Sequence, residues 1–281
     1  MSAITLPIAL LQMRSGTEPA ANVAFVREHV QQAARAGARL VVTPEMTTAL
    51  DRRPGQLMAR AQPQDGNEAI QAYRELAQAC CVDLLIGSMA VKVSDNRLAN
   101  RSLLIHASGE VLAHYDKIHL FDADLGEGQR YEESARFAGG DQAVLVHQTD
   151  YTVGMTVCYD MRFPHLYREL AMAGADILSV PSSFTVPTGQ AHWHVLLRAR
   201  AIETGCFVLA PAQHGSHDDG RETYGHSVVI NPWGEVVAEL AEGTGLLMAE
   251  LDLTQVNQAR QRLPSLQHDR AYQVRHLGPC A

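Results

Sequence analysis

Short runs of Val, Ile and Leu recur along this chain, and between them lie longer stretches in which apolar side chains return every three or four positions. That alternation of two periods is the strongest constraint the sequence imposes on its fold. A short apolar run hides a strand on both faces, whereas the longer spacing lays one apolar stripe along a helix. Strands are predicted over 4–11, 40–42, 84–89, 151–157, 177–180 and 207–210, and helices over 20–36, 68–79, 164–173 and 192–204. Two further segments, 103–115 and 228–240, read as hairpins turning at Ser108-Gly109 and at Trp233-Gly234. Residues 51–66, polar and holding two prolines, read as a surface loop. The resulting class is α/β with antiparallel ribbons.

The pattern repeats. Ala36-Gly-Ala-Arg-Leu-Val-Val-Thr-Pro44 resembles Ala173-Gly-Ala-Asp-Ile-Leu-Ser-Val-Pro181 at an offset of 137 residues. The hairpins echo it: Ser102-Leu-Leu-Ile and Gly109-Glu-Val-Leu-Ala match Ser227-Val-Val-Ile and Gly234-Glu-Val-Val-Ala at an offset of 125. Two similar halves can each supply one sheet, the sheets stacking face to face with helices outside. No linker or low-complexity tract divides the 281 residues, so one large domain is expected over 1–270, followed by a tail, 271–281.

Composition narrows the function. Hydrophobic residues at 46% and charged residues at 19% give ample material for a core. Lys and Arg number 23 against 31 Asp and Glu, a formal net charge of −8 that repels polyphosphate backbones and anionic leaflets, so neither nucleic acid nor membrane is an expected partner. No apolar run approaches the roughly twenty residues of a bilayer helix, and no basic residue precedes Arg14 as an export signal requires. The five cysteines (Cys80, Cys81, Cys158, Cys206, Cys280) are odd in number and lack Cys-x-x-Cys spacing, which fits reduced thiols in a cytoplasm.

One of those thiols sits in a distinctive place. In Tyr151-Thr-Val-Gly-Met-Thr-Val-Cys158-Tyr-Asp-Met-Arg-Phe-Pro164 a β-rich run ends at Cys158, and Pro164 stands where a helix can start. A thiol at a strand-to-helix elbow projects from the sheet edge, with backbone N–H groups beyond it able to bind an oxyanion. Most free cysteines are inert core residues, and Cys80, Cys81 and Cys206 are read that way, with Cys280 in the tail. With an ordinary pKa of about 8.5, a nucleophilic Cys158 needs a base or a nearby cation. Leu40-Val-Val-Thr-Pro44-Glu45-Met46 places a carboxylate at a strand end, and Ala113-His-Tyr-Asp-Lys117-Ile-His-Leu-Phe-Asp122 sets a lysine among aromatic and aliphatic groups. Alone, Glu45 reads as a solvated loop residue, and Lys117 equally as an edge-strand solubility device or as a fixed cation pointing into a pocket. His192-x-His194 and His214-Gly-Ser-His217-Asp-Asp219 lack the spacing of zinc or calcium motifs, and Gly126-Glu-Gly128 lacks the context of a phosphate loop, so no metal is expected. Arg162, Arg198 and Arg200 are open candidates for binding a substrate carboxylate.

Taken in order, Pro44-Glu45-Met46, Tyr115-Asp-Lys117-Ile-His-Leu-Phe-Asp122 and Cys158-Tyr-Asp-Met-Arg-Phe-Pro164 resemble the nitrilase superfamily of carbon-nitrogen hydrolases, from about Ile4 to Arg270. Thr188-Gly-Gln-Ala-His-Trp193, Leu196-Leu-Arg-Ala-Arg-Ala-Ile-Glu203, Ala212-Gln213 and Tyr224-Gly-His-Ser-Val-Val-Ile-Asn-Pro-Trp-Gly234 resemble its branch of deaminated-glutathione amidases, which some animals join to a Fhit domain. The resemblance implies a four-layer α-β-β-α sandwich that pairs into a homodimer or larger assembly. It also implies a small amide as substrate, no cofactor, and a catalytic set of Glu45, Lys117, Cys158 and Glu133. Glu132 is the neighbour a one-residue shift would select. The Tyr159 backbone N–H is implied as oxyanion donor, and Phe121, Arg162, Ser183 and Phe184 as substrate contacts. Deaminated glutathione is the favoured substrate, ω-amidase action on 2-oxoglutaramate or 2-oxosuccinamate the first alternative, and nitrile hydrolysis the next. A binding subunit with a vestigial site is the reading from another class. His194 departs from the pattern, standing where relatives commonly carry Glu, and Pro187 and Gln190 alter the loop before it.

Overall fold

In β1 (Thr5–Gln12), Ile8 and Leu10 share a core with Val153 and Met155 of a second sheet, while Ala9 and Leu11 share another with side chains of two helices. The period of two along one strand thus feeds two different layers. The computed structural model describes residues 5–126 and 130–278. Ile4, Cys280 and the last two residues of Gly126-Glu-Gly128 lie outside them.

The first half runs β1, α1 (Pro19–Arg35), β2 (Leu40–Val42), α2 (Gln56–Arg60), α3 (Glu68–Cys80), β3 (Asp83–Ser94), β4 (Arg97–Ile105) and β5 (Val111–Asp116). A small hairpin, β6 (Asp122–Asp124) and β7 (Arg130–Glu132), and then β8 (Phe137–Ala138) and β9 (Val144–His147) lead to the second half. That half holds β10 (Thr152–Met155), α4 (Pro164–Met172), β11 (Ile177–Ser179), α5 (Val186–Thr204), β12 (Phe207–Ala210), the ribbon β13 (His214–Ser216) and β14 (Glu222–Tyr224), β15 (Ser227–Ile230) and β16 (Val236–Leu240). β17 (Gly245–Asp252) and α6 (Thr254–Arg262) follow.

The two large sheets have the same plan. One is ordered β17-β1-β2-β3-β4-β5, with β8 beside β4; the other is β16-β15-β12-β11-β10-β9. In each, three parallel strands (β1-β2-β3, β10-β11-β12) are extended by an antiparallel pair (β4-β5, β15-β16) and flanked on the opposite side by one antiparallel strand. The repeated segments fall on β2 and β11 and on the two hairpins, as the offsets require. α1 and α3 cover the outer face of the first sheet, and α4 and α5 pack on the second, giving the α-β-β-α order.

Three departures from the sequence reading bear on how the chain is put together. α5 starts at Val186 rather than 192, because Pro187 occupies the first turn, where no N–H is needed, and Gly189 lets the helix press on the Tyr224 ring. Residues 51–66 are not simply a surface loop: Asp51 is buried, and α2 lies within the segment. β17 was not foreseen, since its eight residues pair with β1 at the other end of the chain. After Gln267 the chain is irregular and exposed through residue 278.

Candidate active site

The loops that carry the predicted catalytic residues leave strand ends in both sheets and converge. β2 ends before Thr43-Pro44-Glu45. The Thr47 hydroxyl donates to the Pro44 carbonyl at 2.7 Å, and Met46 takes a left-handed φ of 58° to complete the turn. A bulge in β3 makes room for it. Gly87 N–H donates to Thr43 Oγ1 at 3.0 Å, Ser88 Oγ accepts from Met46 N–H at 3.0 Å, and a Cβ at position 87 would lie 2.0 Å from the Thr43 carbonyl oxygen. Lys117 directly follows β5. Glu133 opens the single turn after β7. Cys158 opens another turn between β10 and α4 with a φ of 50°, a backbone strain of the sort that accumulates where a side chain must be aimed.

These far-separated segments bring their functional atoms together. Lys117 Nζ donates to Glu45 Oε1 at 3.0 Å and to Glu133 Oε2 at 2.8 Å. Asn100 Nδ2 reaches both carboxylates, at 2.9 Å to Glu45 Oε1 and 2.9 Å to Glu133 Oε1. Glu45 Oε2 accepts from Ser183 N–H at 2.8 Å, Glu133 Oε2 from Phe121 N–H at 2.7 Å, and the Glu45 carbonyl from Gln213 at 2.9 Å. Glu45, Lys117, Glu133 and Cys158 all line one cavity of about 500 Å³, together with Asn100, Phe121 and Ser183. Glu132 lines its mouth but pairs with Arg130 at 2.6 Å, leaving Glu133 as the lysine's partner.

The electrostatics follow from burial with unequal partners. Burial alone would strip the proton from Lys117, but the charges of Glu133 and Glu45 hold its pKa well above the ordinary value. Burial would likewise raise Glu45, yet the charge and hydrogen bond of Lys117, with help from Cys158 and Asn100, bring it below its ordinary value. At Cys158, burial and then the negative charge of Glu45 push the thiol well above its ordinary value, against the pull of Lys117 and the Ser183 N–H. Two carboxylates and one ammonium already sum to one negative charge; a thiolate would add a second, so the proton stays on sulfur beside an ionised carboxylate.

The other residues singled out from sequence are distributed around this centre. Tyr159 N–H makes no hydrogen bond beyond its own turn among the described residues. Ser183 Oγ is buried without a partner among the described residues. Phe184 is buried against Trp193, and Arg162 lies over the Tyr159 and Phe184 rings with Nη2 3.3 Å from His192 Nδ1; neither Phe184 nor Arg162 lines the cavity. Arg198 donates to the Gly234 carbonyl, and Arg200 to the Met161 carbonyl and Glu203. Among the described residues no three His, Cys, Asp or Glu side chains form a group able to hold a metal. Sequence reasoning passed over Asn100, a polar amide between Ala99 and Arg101 that carries no motif, and Arg136 and Arg221, which also line the cavity.

A family model described as "Carbon-nitrogen hydrolase" matches residues 7–261. The chain belongs to that family. It is an amidase of the nitrilase superfamily, and its relatives agree. It is 41% identical to deaminated glutathione amidase of Mus musculus over 268 residues, covering 94% of this chain and 83% of that one. It is 40% identical to the Synechocystis protein of the same name over 264 residues, covering 92% and 96%. Among solved structures, the C. elegans NitFhit protein superposes with a TM-score of 0.88 at 35% identity, over 96% of this chain and 66% of that longer one. An amidase from Nesterenkonia sp. AN1, solved as a mutant with the acetamide moiety of fluoroacetamide added covalently at the active-site cysteine, superposes with a TM-score of 0.81 at 26% identity, covering 94% of each chain.

Proposed function

We propose that this amidase hydrolyses deaminated glutathione to 2-oxoglutarate and cysteinylglycine through a thioester on Cys158. The observation that carries the reading is the meeting of a buried thiol, an ionised carboxylate and a carboxylate-flanked ammonium in one cavity. Amide carbonyls are weak electrophiles and amines poor leaving groups, so the site must supply nucleophile, oxyanion binder and acid. Glu45 takes the proton from Cys158 as sulfur attacks the carbonyl carbon. The Lys117 ammonium and the Tyr159 N–H stabilise the oxyanion. Protonated Glu45 then gives its proton to the departing nitrogen, the C–N bond breaks, and the thioester remains. Glu45 next deprotonates a water that attacks the thioester, and the leaving sulfur takes that proton back. Glu133 holds Lys117 in place. No step in this scheme calls on a metal or an organic cofactor.

Identity of about two fifths to proteins named for deaminated glutathione supports the substrate, and a cavity of about 500 Å³ is of a size for a small-molecule amide. The test is a side-by-side assay of deaminated glutathione, 2-oxoglutaramate and a simple aliphatic nitrile, reading cysteinylglycine or ammonia release. Deaminated glutathione should give the highest kcat/KM, and Cys158→Ala should abolish turnover. Preference for 2-oxoglutaramate would instead make the enzyme an ω-amidase, and no turnover of any of them would leave a binding subunit. Exposed Met172 at the end of α4, Ile202 on α5 and Trp233 before β16, apolar side chains grouped around one surface pocket, support the expected homodimer.

A further inference from the structure

Past the four reacting side chains, the cavity wall carries cations whose partners differ. Arg136 follows the turn opened by Glu133, and its side chain lines the cavity half-buried. Among the described residues its one hydrogen bond runs from Nη1 to the Asp51 carbonyl at 3.3 Å, and no carboxylate comes within ion-pair distance. Three acids around it are committed elsewhere. Asp51 is held by Arg53 at 2.6 Å and Arg60 at 2.9 Å, Asp219 by Arg221 at 2.7 Å, and Glu133 by Lys117 at 2.8 Å. Arg221 lines the same wall, its guanidinium oriented by Asp219, which also accepts from Arg52 N–H at 2.8 Å.

A guanidinium presents a planar fork of N–H donors matched to a carboxylate, and a half-buried one that leaves most of them unused costs free energy unless an anion completes it. Arg162, Arg198 and Arg200 offer no such opening into the cavity. We propose that Arg136, with Arg221 beside it, forms a carboxylate-binding subsite that selects amides bearing a carboxylate away from the scissile bond.

This rests on the amidase reading above and assigns the groups that set its specificity. A carboxylate can come from the acyl part or from the leaving amine, and three probes separate the cases: 2-oxoglutaramate, N-butyryl-cysteinylglycine and neutral pentanamide. For the wild type, kcat/KM should be higher for at least one charged amide than for pentanamide. Arg136→Gln should lower the charged-to-neutral ratio of kcat/KM by roughly 10- to 100-fold, the range for losing a charged hydrogen-bonding partner, with KM carrying most of it. Arg136→Lys should restore part of the ratio, and the charged probe affected names the end of the substrate that is held. Equal losses on all three amides, or no loss on either charged one, would overturn the subsite. A wild type that favours pentanamide would overturn the subsite alone, and one that cleaves no amide would overturn the amidase reading with it.

Discussion

At the scale of single residues, the site is governed by a small sum of charges. Lys117 is almost fully buried yet lies within hydrogen-bonding distance of two carboxylates, and Asn100 ties those carboxylates together from the other side. Burial first, and then the negative charge of Glu45, keep the Cys158 thiol protonated, which distinguishes this site from a thiolate–imidazolium pair. The expected outcome is that the wild type minus Cys158→Ala shows no thiolate absorbance near 240 nm at pH 7, with activity flat from neutral pH to about pH 9, since both the thiol and the ammonium are pushed upward. A thiolate signal at neutral pH would overturn the assignment of Glu45 as the proton acceptor. Glu45 and Lys117 were visible in the sequence only through their company. A glutamate after Pro and a lysine before Ile are ordinary residues, and burial, which gives them their chemistry, is not a local property.

At the scale of elements, one buried carboxylate fastens two of the motifs. Asp160 Oδ2 accepts from Val157 N–H at 2.8 Å and from Tyr115 Oη at 2.7 Å, while Oδ1 accepts from His119 N–H at 3.0 Å and lies 2.8 Å from His119 Nδ1. The end of β5 and the loop after it, which carries Lys117, are thereby locked to the turn that carries Cys158. Asp160→Asn keeps the shape but sets an NH₂ donor against donors, and should cost about 2–3 kcal/mol of stability. It should also lower kcat at temperatures where the variant remains folded. A lower Tm with wild-type kcat would reduce Asp160 to a purely structural role. The motifs Tyr115-Asp-Lys117-Ile-His and Cys158-Tyr-Asp were legible as strings, but nothing in either string says that the tyrosine and histidine of one hold the aspartate of the other.

At the scale of the whole molecule, the duplicated plan brings strand ends from both sheets to a shared crevice, and the chain closes the plan by returning β17 to pair along β1. Stability at low pH depends on the loop that caps this crevice. The Arg53 hydrogen bond is the main cause that lowers the buried Asp51 carboxyl from 3.8 to about 2. A depressed carboxylate contributes stability above its unfolded pKa and loses it as pH falls through the folded value, so this contribution should be complete above about pH 5 and gone near pH 2. Half-exposed Arg53 tempers its size to about 1–2 kcal/mol. Asp51→Asn should therefore lower Tm at pH 7 and narrow the gap between Tm at pH 7 and at pH 3. An unchanged gap would show that other carboxylates set the acid limb.

The amino-acid sequence alone determined the two hydrophobic periods, and with them the central strands, the helices packed on the two sheets and the duplicated halves, because side-chain spacing acts through the local geometry of the backbone. It also supplied the three motifs whose order identified the family. What tertiary structure decided is everything that depends on distant segments meeting: the early start of α5 against Tyr224, the pairing of β17 with β1, the bridging of Glu45 and Glu133 by Asn100, and the placing of Arg136 rather than Arg162 in the cavity wall. The burial of Lys117 beside Glu45 arises only when residues 72 positions apart exclude water together, and no short window of sequence contains both partners.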